Sequence, residues 1–187
     1  YLPSNWKLET GIGVGYLDRK LDYYNFNIPN QEIGSHVKLL IKKNANRWTW
    51  LIGAEHFFKD IDEKFQQSEI SPISYGFKRS VIAGFTEGSY RFLPKMSLDL
   101  GLRYSDDFKS QRFLEPRASI AYLPSTQHVL SISYGKYHQE PNTEYSKFNP
   151  ALNWQSADHY IFNYTFNQKG RMLRLEGFIK DYDHLIT

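Results

Sequence analysis

The sequence predicts an all-β chain of antiparallel, up-and-down transmembrane strands, about nine of them, forming part of a larger barrel. Three observations predict it. Apolar side chains recur at every second residue over stretches of about ten, the length and period of a membrane-crossing strand. Short and long connections alternate along the chain, as they do where tight turns lie on one side of a membrane and larger loops on the other. Aromatic residues make up 17% of the chain, with 14 Tyr, 13 Phe and 4 Trp, which suits strands with aromatic belts.

The alternation runs through the chain in order. From Lys7 to Tyr16 one parity reads Leu8, Thr10, Ile12, Val14, Tyr16, and the other Lys7, Glu9, Gly11, Gly13, Gly15. Met96, Leu98, Leu100, Leu102 and Tyr104 alternate with Ser97, Asp99, Gly101 and Arg103. Tyr160, Phe162, Tyr164 and Phe166 repeat the pattern. So do Trp48–Trp50–Ile52–Ala54, Ala118–Ile120–Tyr122, Leu130–Ile132–Tyr134 and Leu173–Leu175–Ile179. A helix, with its period near 3.6, would scatter these residues around its axis. The strands are placed at 6–16, 35–43, 47–58, 77–92, 95–105, 113–123, 128–139, 157–166 and 171–183. The fourth, through Val81, Ala83, Phe85 and Glu87, has mixed parity.

The short connections are Asn44-Ala45-Asn46, Leu93-Pro94, Pro124-Ser125-Thr126-Gln127 and Asn167-Gln168-Lys169-Gly170, all rich in residues that suit turns. The connections near 17–34, 59–76, 105–112 and 139–156 read as long, polar loops. They carry aromatics: Tyr23, Tyr24, Phe26, Phe65, Tyr75, Tyr145, Phe148 and Trp154. Near strand ends, Tyr16, Trp48, Trp50, Tyr90, Tyr104, Tyr122, Tyr134, Tyr160 and Phe166 suggest headgroup belts.

The second parity is polar. It holds Glu9, Thr49, Glu55, Asp99, Arg103, Glu115, Arg117, Ser131, Ser133, Arg174 and Glu176. Soluble small barrels have an apolar interior and a charged exterior; this chain suits the reverse, a wet lumen inside an apolar wall. Mean hydropathy is −0.57 and no apolar run approaches a transmembrane helix, which is compatible with strands that are apolar on one side only.

Other classes find little support. The net charge of +3 on 23 basic and 20 acidic residues gives no nucleic-acid footprint. With Cys absent, no disulfide framework or thiolate metal site is expected. The 6 His residues never show a ligand spacing such as HExxH, and are expected at the surface or in a belt. Asp106-Asp107 is expected in a solvated loop. Gly11, Gly13 and Gly15 precede no helix, so they form no dinucleotide site; strand bending or close packing explains them. No catalytic residue, cofactor or metal site is expected, and no enzymatic role.

The segment Phe113-Leu114-Glu115-Pro116-Arg117-Ala118-Ser119-Ile120-Ala121-Tyr122 resembles the "EPR" strand of TonB-dependent receptors. Leu130-Ser131-Ile132-Ser133-Tyr134-Gly135-Lys136-Tyr137-His138-Gln139-Glu140-Pro141 resembles its continuation. Ala83-Gly84-Phe85-Thr86-Glu87-Gly88-Ser89-Tyr90-Arg91-Phe92, followed by Leu98-Asp99-Leu100-Gly101-Leu102-Arg103-Tyr104, is similar to the adjoining hairpin. Leu175-Glu176-Gly177-Phe178-Ile179-Lys180-Asp181-Tyr182 is similar to another strand. The likeness covers 77–187 by motif and 1–76 by pattern, in the manner of Bacteroidetes receptors.

That resemblance implies a 22-stranded bacterial outer-membrane barrel, an N-terminal plug and a TonB-contacting segment. It implies uptake of a scarce ligand: a siderophore, cobalamin or a glycan. Residues 1–187 are expected to be a single barrel segment, with the plug and the remaining strands outside it. Expected partners are outer-membrane lipid, the plug, TonB and the transported ligand. On the lumen parity, Glu87, Asp99, Arg103, Glu115, Arg117, Arg174 and Glu176 are the candidates to contact plug or ligand; the alternative is a cross-strand ion network. Two other architectures stay open: a small closed membrane barrel with an adhesion or structural role, and a soluble aromatic-rich β-sandwich that binds carbohydrate.

Overall fold

The computed structural model describes residues 5–67, 70–109 and 111–185. They form one nine-stranded antiparallel sheet in sequence order, with every strand paired to its chain neighbours. The strands are β1 (Trp6–Tyr23), β2 (Phe26–Asn44), β3 (Trp48–Gln67), β4 (Ile70–Leu93), β5 (Met96–Asp106), β6 (Arg112–Ser125), β7 (His128–Gln139), β8 (Gln155–Gln168) and β9 (Arg171–Asp183). A single sheet is not a sandwich, and β1 and β9 are not paired to each other. Among the described residues no helix is long and apolar enough to cross a membrane.

Register fixes the faces. One row runs Leu8↔Ile41, Ile41↔Ile52, Ile52↔Thr86, Thr86↔Leu102 and Leu102↔Pro116. Further along the sheet another runs Ile120↔Ile132, Ile132↔Phe162 and Phe162↔Gly177. These apolar residues stay exposed: Ile12 is 78% accessible, Ile132 61% and Leu175 55%. On the other face, Glu55, Arg79, Ser105 and Glu115 are buried. The sheet is therefore apolar outside and polar inside, as the two parities require. Gly11, Gly13 and Gly15 line the inner face of β1, where an added Cβ would meet nothing within 4 Å.

Belt tyrosines mark where the apolar band stops. The Tyr16 hydroxyl donates to Asp18 at 3.2 Å, and the Tyr134 hydroxyl to Asp158 at 2.6 Å. Each ring lies at the edge of the apolar rows, with its hydroxyl on a carboxylate one outward step further. At the opposite end Trp48 stacks on Tyr90 with centroids 4.1 Å apart, and the Lys43 ammonium lies 4.8 Å from the centre of the Trp6 ring.

The first two long connections are not loops. Residues 17–34 form the upper parts of β1 and β2, joined by a tight turn at Tyr24 (φ 50°). Residues 59–67 and 70–76 continue β3 and β4. Tyr23, Phe26, Phe65 and Tyr75 are therefore strand residues. Above the belt the polarity inverts. In β1 the outward parity changes from Leu8–Tyr16 to Asp18, Lys20, Asp22, and the inward parity from glycines to Leu17, Arg19, Leu21. In β3 the outward parity becomes Asp60, Asp62, Lys64, while Ile61 and Phe65 face inward. Strands that leave lipid must face water outside, so a run read with one polarity rule ends too early. The mixed parity of β4 has another cause: Val81, Ala83, Phe85 and Glu87 all face inward at the level of the apolar band, where Phe85 covers Gly53 and Ala83 lies between Glu55 and Ser105.

Of the other two connections, residues 107–109 and 111 lie outside the strands β5 and β6. Residues 140–154 contain α1 (Thr143–Ser146), whose Glu144 N–H is capped by the Asn142 side chain. The last hairpin turns through Lys169 (φ 46°) and Gly170 (φ 78°). Two successive positive φ values are the signature of a type I′ turn.

Candidate functional site: the lumen-facing charge cluster

The inner face of β2 to β7 gathers charge around two buried carboxylates. Glu55 on β3 is 8% exposed and Glu115 on β6 6%. Arg103 on β5 joins them: its Nη1 contacts Glu55 and its Nε lies 3.5 Å from Glu115. Arg103 faces Glu115 directly across the β5–β6 ladder. It reaches Glu55 past β4 because Ala83, the residue between Glu55 and Ser105, is small. A histidine terminates the chain of contacts at each end. His36 Nε2 lies 3.2 Å from Glu55, and His138 gives Glu115 its backbone N–H at 2.6 Å with Nδ1 at 3.3 Å. The result is a His–Glu–Arg–Glu–His line across six strands. Each carboxylate has several donors, which is what burial of a charge demands.

Arg117 extends the cluster. Its Nη2 is 3.9 Å from Glu115, and its guanidinium lies 4.7 Å from the centre of the Tyr137 ring. That ring covers Gly135: a Cβ there would come 2.7 Å from the Tyr137 hydroxyl. Across the cluster Phe85 lies over Gly53. Lys38 and Arg103 approach the Phe85 ring at 5.4 and 5.8 Å, a cation–π arrangement on each side. Glu87 shares a small cleft with Lys38, Arg103 and Arg117. Asp99 accepts from the Ser89 hydroxyl and shares a second cleft with Glu87 and Arg117.

The structure thus brings five sequence candidates together: Glu87, Asp99, Arg103, Glu115 and Arg117. Arg174 and Glu176 stand apart on β9, paired with each other at 2.9 Å and largely exposed. Glu55 belongs at the centre of the cluster, although only its place on the polar parity was legible. His36 and His138 are lumen residues, as is His159, which pairs with Gly135 and Lys180. His128 fits the belt expectation, with Nδ1 2.8 Å from the Tyr164 hydroxyl. Asp107 is not solvated: it is 5% exposed and accepts the N–H groups of Lys109 and Gln111, organising its loop. No group of metal-ligating side chains occurs among the described residues.

Above the cluster lies a concavity of about 790 Å³. Its walls include Lys59, His36, Phe113, Tyr137 and Trp154, with Glu55, Arg103 and Glu115 in its floor. Phe113 packs against Trp154 at 4.8 Å and His138 at 4.4 Å. Such a space, charged below and aromatic at one side, suits a polar ligand with an apolar face.

The loop 140–154 forms part of its roof. It crosses the inner face instead of rising above its own hairpin. Glu140 accepts from Arg79 at 2.7 Å, Thr143 from Lys59 at 2.8 Å, and Lys147 reaches Glu63 at 2.9 Å. Burial works against the charge on Lys147, but Glu144 and Glu63 outweigh it and hold the ammonium above the ordinary lysine range. At the other end of the loop, Trp154 gives its backbone N–H to Gln111 at 3.0 Å.

Solved structures share this fold at low sequence identity. The alcaligin outer-membrane receptor FauA from Bordetella pertussis superposes with a TM-score of 0.81 at 15% identity, over 98% of this chain and 35% of that one. The copper transporter OprC gives 0.74 at 10% identity, over 92% and 35%. The ferric yersiniabactin uptake receptor FyuA from Yersinia pestis gives 0.72 at 11%, over 97% and 34%. The chain therefore spans about a third of each of these proteins. No curated protein sequence matches it. The family model for the TonB-dependent receptor-like β-barrel matches residues 2–187. With nine antiparallel strands, an apolar outer face and a charged lumen in the same register, the chain belongs to the TonB-dependent receptor β-barrel family of the Gram-negative outer membrane.

Proposed function

We propose that this chain is one wall of an outer-membrane receptor that takes up a scarce ligand by a TonB-dependent route. In this reading further strands pair with the edges of β1 and β9, since unpaired backbone groups in lipid cost several kcal/mol each. A plug domain fills the lumen, TonB supplies the energy, and the chain has no enzymatic role. The transported ligand is a siderophore, cobalamin or a glycan. The observation that carries the reading is the cavity of about 790 Å³ on the inner face, above a floor of buried ion pairs. Glu87, Asp99, Arg103, Glu115 and Arg117 are the residues we place against plug or ligand; Arg174 and Glu176 face the same lumen further round.

The test is uptake by cells that express the full-length protein as their only such receptor. Ferric siderophores, cobalamin and oligosaccharides are offered as radiolabelled probes, with and without functional TonB. Uptake of one class that disappears without TonB supports the proposal. Uptake of none, or uptake indifferent to TonB, refutes it.

A further inference from the structure

Two concavities adjoin on the lumen face, with Tyr137 and His138 in the wall of both. In the larger, each cation of the wall lies beside a carboxylate. Lys59 is 3.2 Å from Glu32, Arg103 bridges Glu55 and Glu115, and Arg117 is 3.9 Å from Glu115. An anion entering here would have to displace a carboxylate from every cation it meets.

The second concavity, of about 480 Å³, lies between β7, β8 and β9. Tyr137, His159 and Tyr182 line it, one ring from each strand, with Gln139, Gln155 and Ser156 as polar neighbours. The register puts all three rings on the inner parity: Gly135 faces His159, and Ala157 lies opposite both Tyr137 and Tyr182. Their centroids are 4.8 and 6.5 Å apart, and the planes turn by 43° and 70° from one ring to the next. The one ammonium in this wall, on Lys180, lies 5.3 Å from the centre of the Phe178 ring. Tyr182 is 51% and Phe178 62% exposed, on a parity that elsewhere carries Asp99, Ser131, Arg174 and Glu176. Large rings left open on a polar face mark a place where something covers them. No single plane lies against all three, so one broad, flat ligand does not fit. A chain of small rings, free to turn at each linkage, does.

We propose that this second concavity is a sugar subsite, and that the ligand moving along this wall is a neutral oligosaccharide and not an anionic iron chelate. The C–H face of a pyranose lies on an aromatic face, whose electron density attracts its slightly positive hydrogens. Gln139, Gln155 and Ser156 exchange hydrogen bonds with its hydroxyl groups. Phe113 and Trp154, 4.8 Å apart, continue the aromatic surface in the larger concavity. The inference rests on the lumen being a ligand path, but it is read by binding in the absence of TonB. Sugar binding without TonB-dependent uptake would refute the transport reading alone; TonB-dependent uptake of another class, without sugar binding, would refute the subsite alone.

The test uses the purified full-length receptor in detergent and isothermal titration. The probes are linear oligosaccharides of glucose, xylose and mannose, a ferric tris-catecholate and cobalamin. At least one oligosaccharide is expected to bind, and to bind more tightly than the chelate or cobalamin. Tyr182→Ala and His159→Ala should each weaken that sugar about tenfold, the loss of one aromatic face. Tyr182→Phe, which keeps the ring, should bind it as the parent does. Heat-modifiable migration should be the same in all variants. The proposal is overturned if no oligosaccharide binds, if the chelate or cobalamin binds more tightly than every sugar, or if the alanine variants bind sugar as tightly as the parent. Unchanged sugar affinity with a lowered urea midpoint would assign the rings to the plug instead.

Discussion

Replacing Arg103 with Met removes the one cation shared by two buried carboxylates. Glu55 and Glu115 are 8% and 6% exposed, so water replaces little of what is lost. A contact at the 3.5 Å found between Arg103 and Glu115 is worth about 5 kcal/mol of gross attraction at an effective dielectric of about 20. The desolvation of Arg103 offsets part of this, and the arginine is itself 23% exposed. His36, and the backbone N–H of His138, stay on the carboxylates. Breaking a buried pair from one side costs about 3–5 kcal/mol; with those donors left, we expect about 2–4 kcal/mol for Arg103→Met. The assay is the urea midpoint of the full-length protein in lipid vesicles, read from the shift between folded and unfolded bands on a gel. Lys78→Met is the control, since the Lys78–Asp60 pair lies on the outer face above the belt with its lysine 75% exposed, and such pairs contribute little. The triple variant Arg103→Met, Glu55→Gln, Glu115→Gln should recover most of the loss, because no charge is left stranded. The reasoning is refuted if Arg103→Met matches Lys78→Met, or if the triple variant is no better than Arg103→Met alone.

Three further outcomes follow from the geometry. Gly53→Val should cost about 1–3 kcal/mol of stability, read as a lower urea midpoint, since its side chain would displace the Phe85 ring from Lys38 and Arg103; Gly84→Val, on the outer face of a central strand where a Cβ meets nothing, should be neutral by the same assay. Ile132→Arg on the outer face should reduce assembled protein in outer-membrane fractions, in line with about 2–4 kcal/mol for a cation near the bilayer midplane; Ser131→Arg, one residue away on the lumen face, should assemble, and equal yields would contradict the assignment of faces. In the loop 140–154 Lys147 titrates above its unfolded value of 10.5 because Glu144 and Glu63 hold it charged, so the stability its ion pairs contribute is fully present below that pH and lost as pH rises through the higher folded value. Protease protection of residues 140–154 in the purified protein should hold from neutral pH until above about 10 and then fall; a fall near neutral pH would contradict it.

How much of this was legible in the sequence differs by region, and the reason is solvent. Within the bilayer each strand has lipid on one side and a wet lumen on the other, so a single period-two rule suffices. It places β5, β6, β7 and β9 within one or two residues of their observed ends. Above the belt the outside becomes water, and Asp18, Lys20 and Asp22 take the outward positions that Ile12, Val14 and Tyr16 hold below. A reader who keeps the first rule sees the pattern dissolve and writes a loop. The signal for a continuing strand was present as the exchange of parities, with Leu17, Arg19 and Leu21 following the glycines. Tyr16 marks the exchange because its ring belongs to the band and its hydroxyl to the carboxylate beyond it.

The site was legible as a parity and illegible as a cluster, for a reason that bears on function. Alternation says that Glu55, Arg103 and Glu115 share a face; it does not say that Ala83 leaves the gap through which Arg103 reaches Glu55. Nor does it say that a loop after β7 returns to β3 and β4. Those contacts depend on register across several strands, which no local pattern encodes. Arg174 and Glu176 carry the same sequence signal as Arg103 and Glu115, yet among the described residues they pair with each other and Asn163. What separates the two sets within this chain is position: the central one has strands on both sides and a concavity above it, the other lies on the last strand of the sheet. A charge cluster that is buried and tied by several partners makes a rigid floor for the concavity above it, because no one of its charges can move without leaving another stranded.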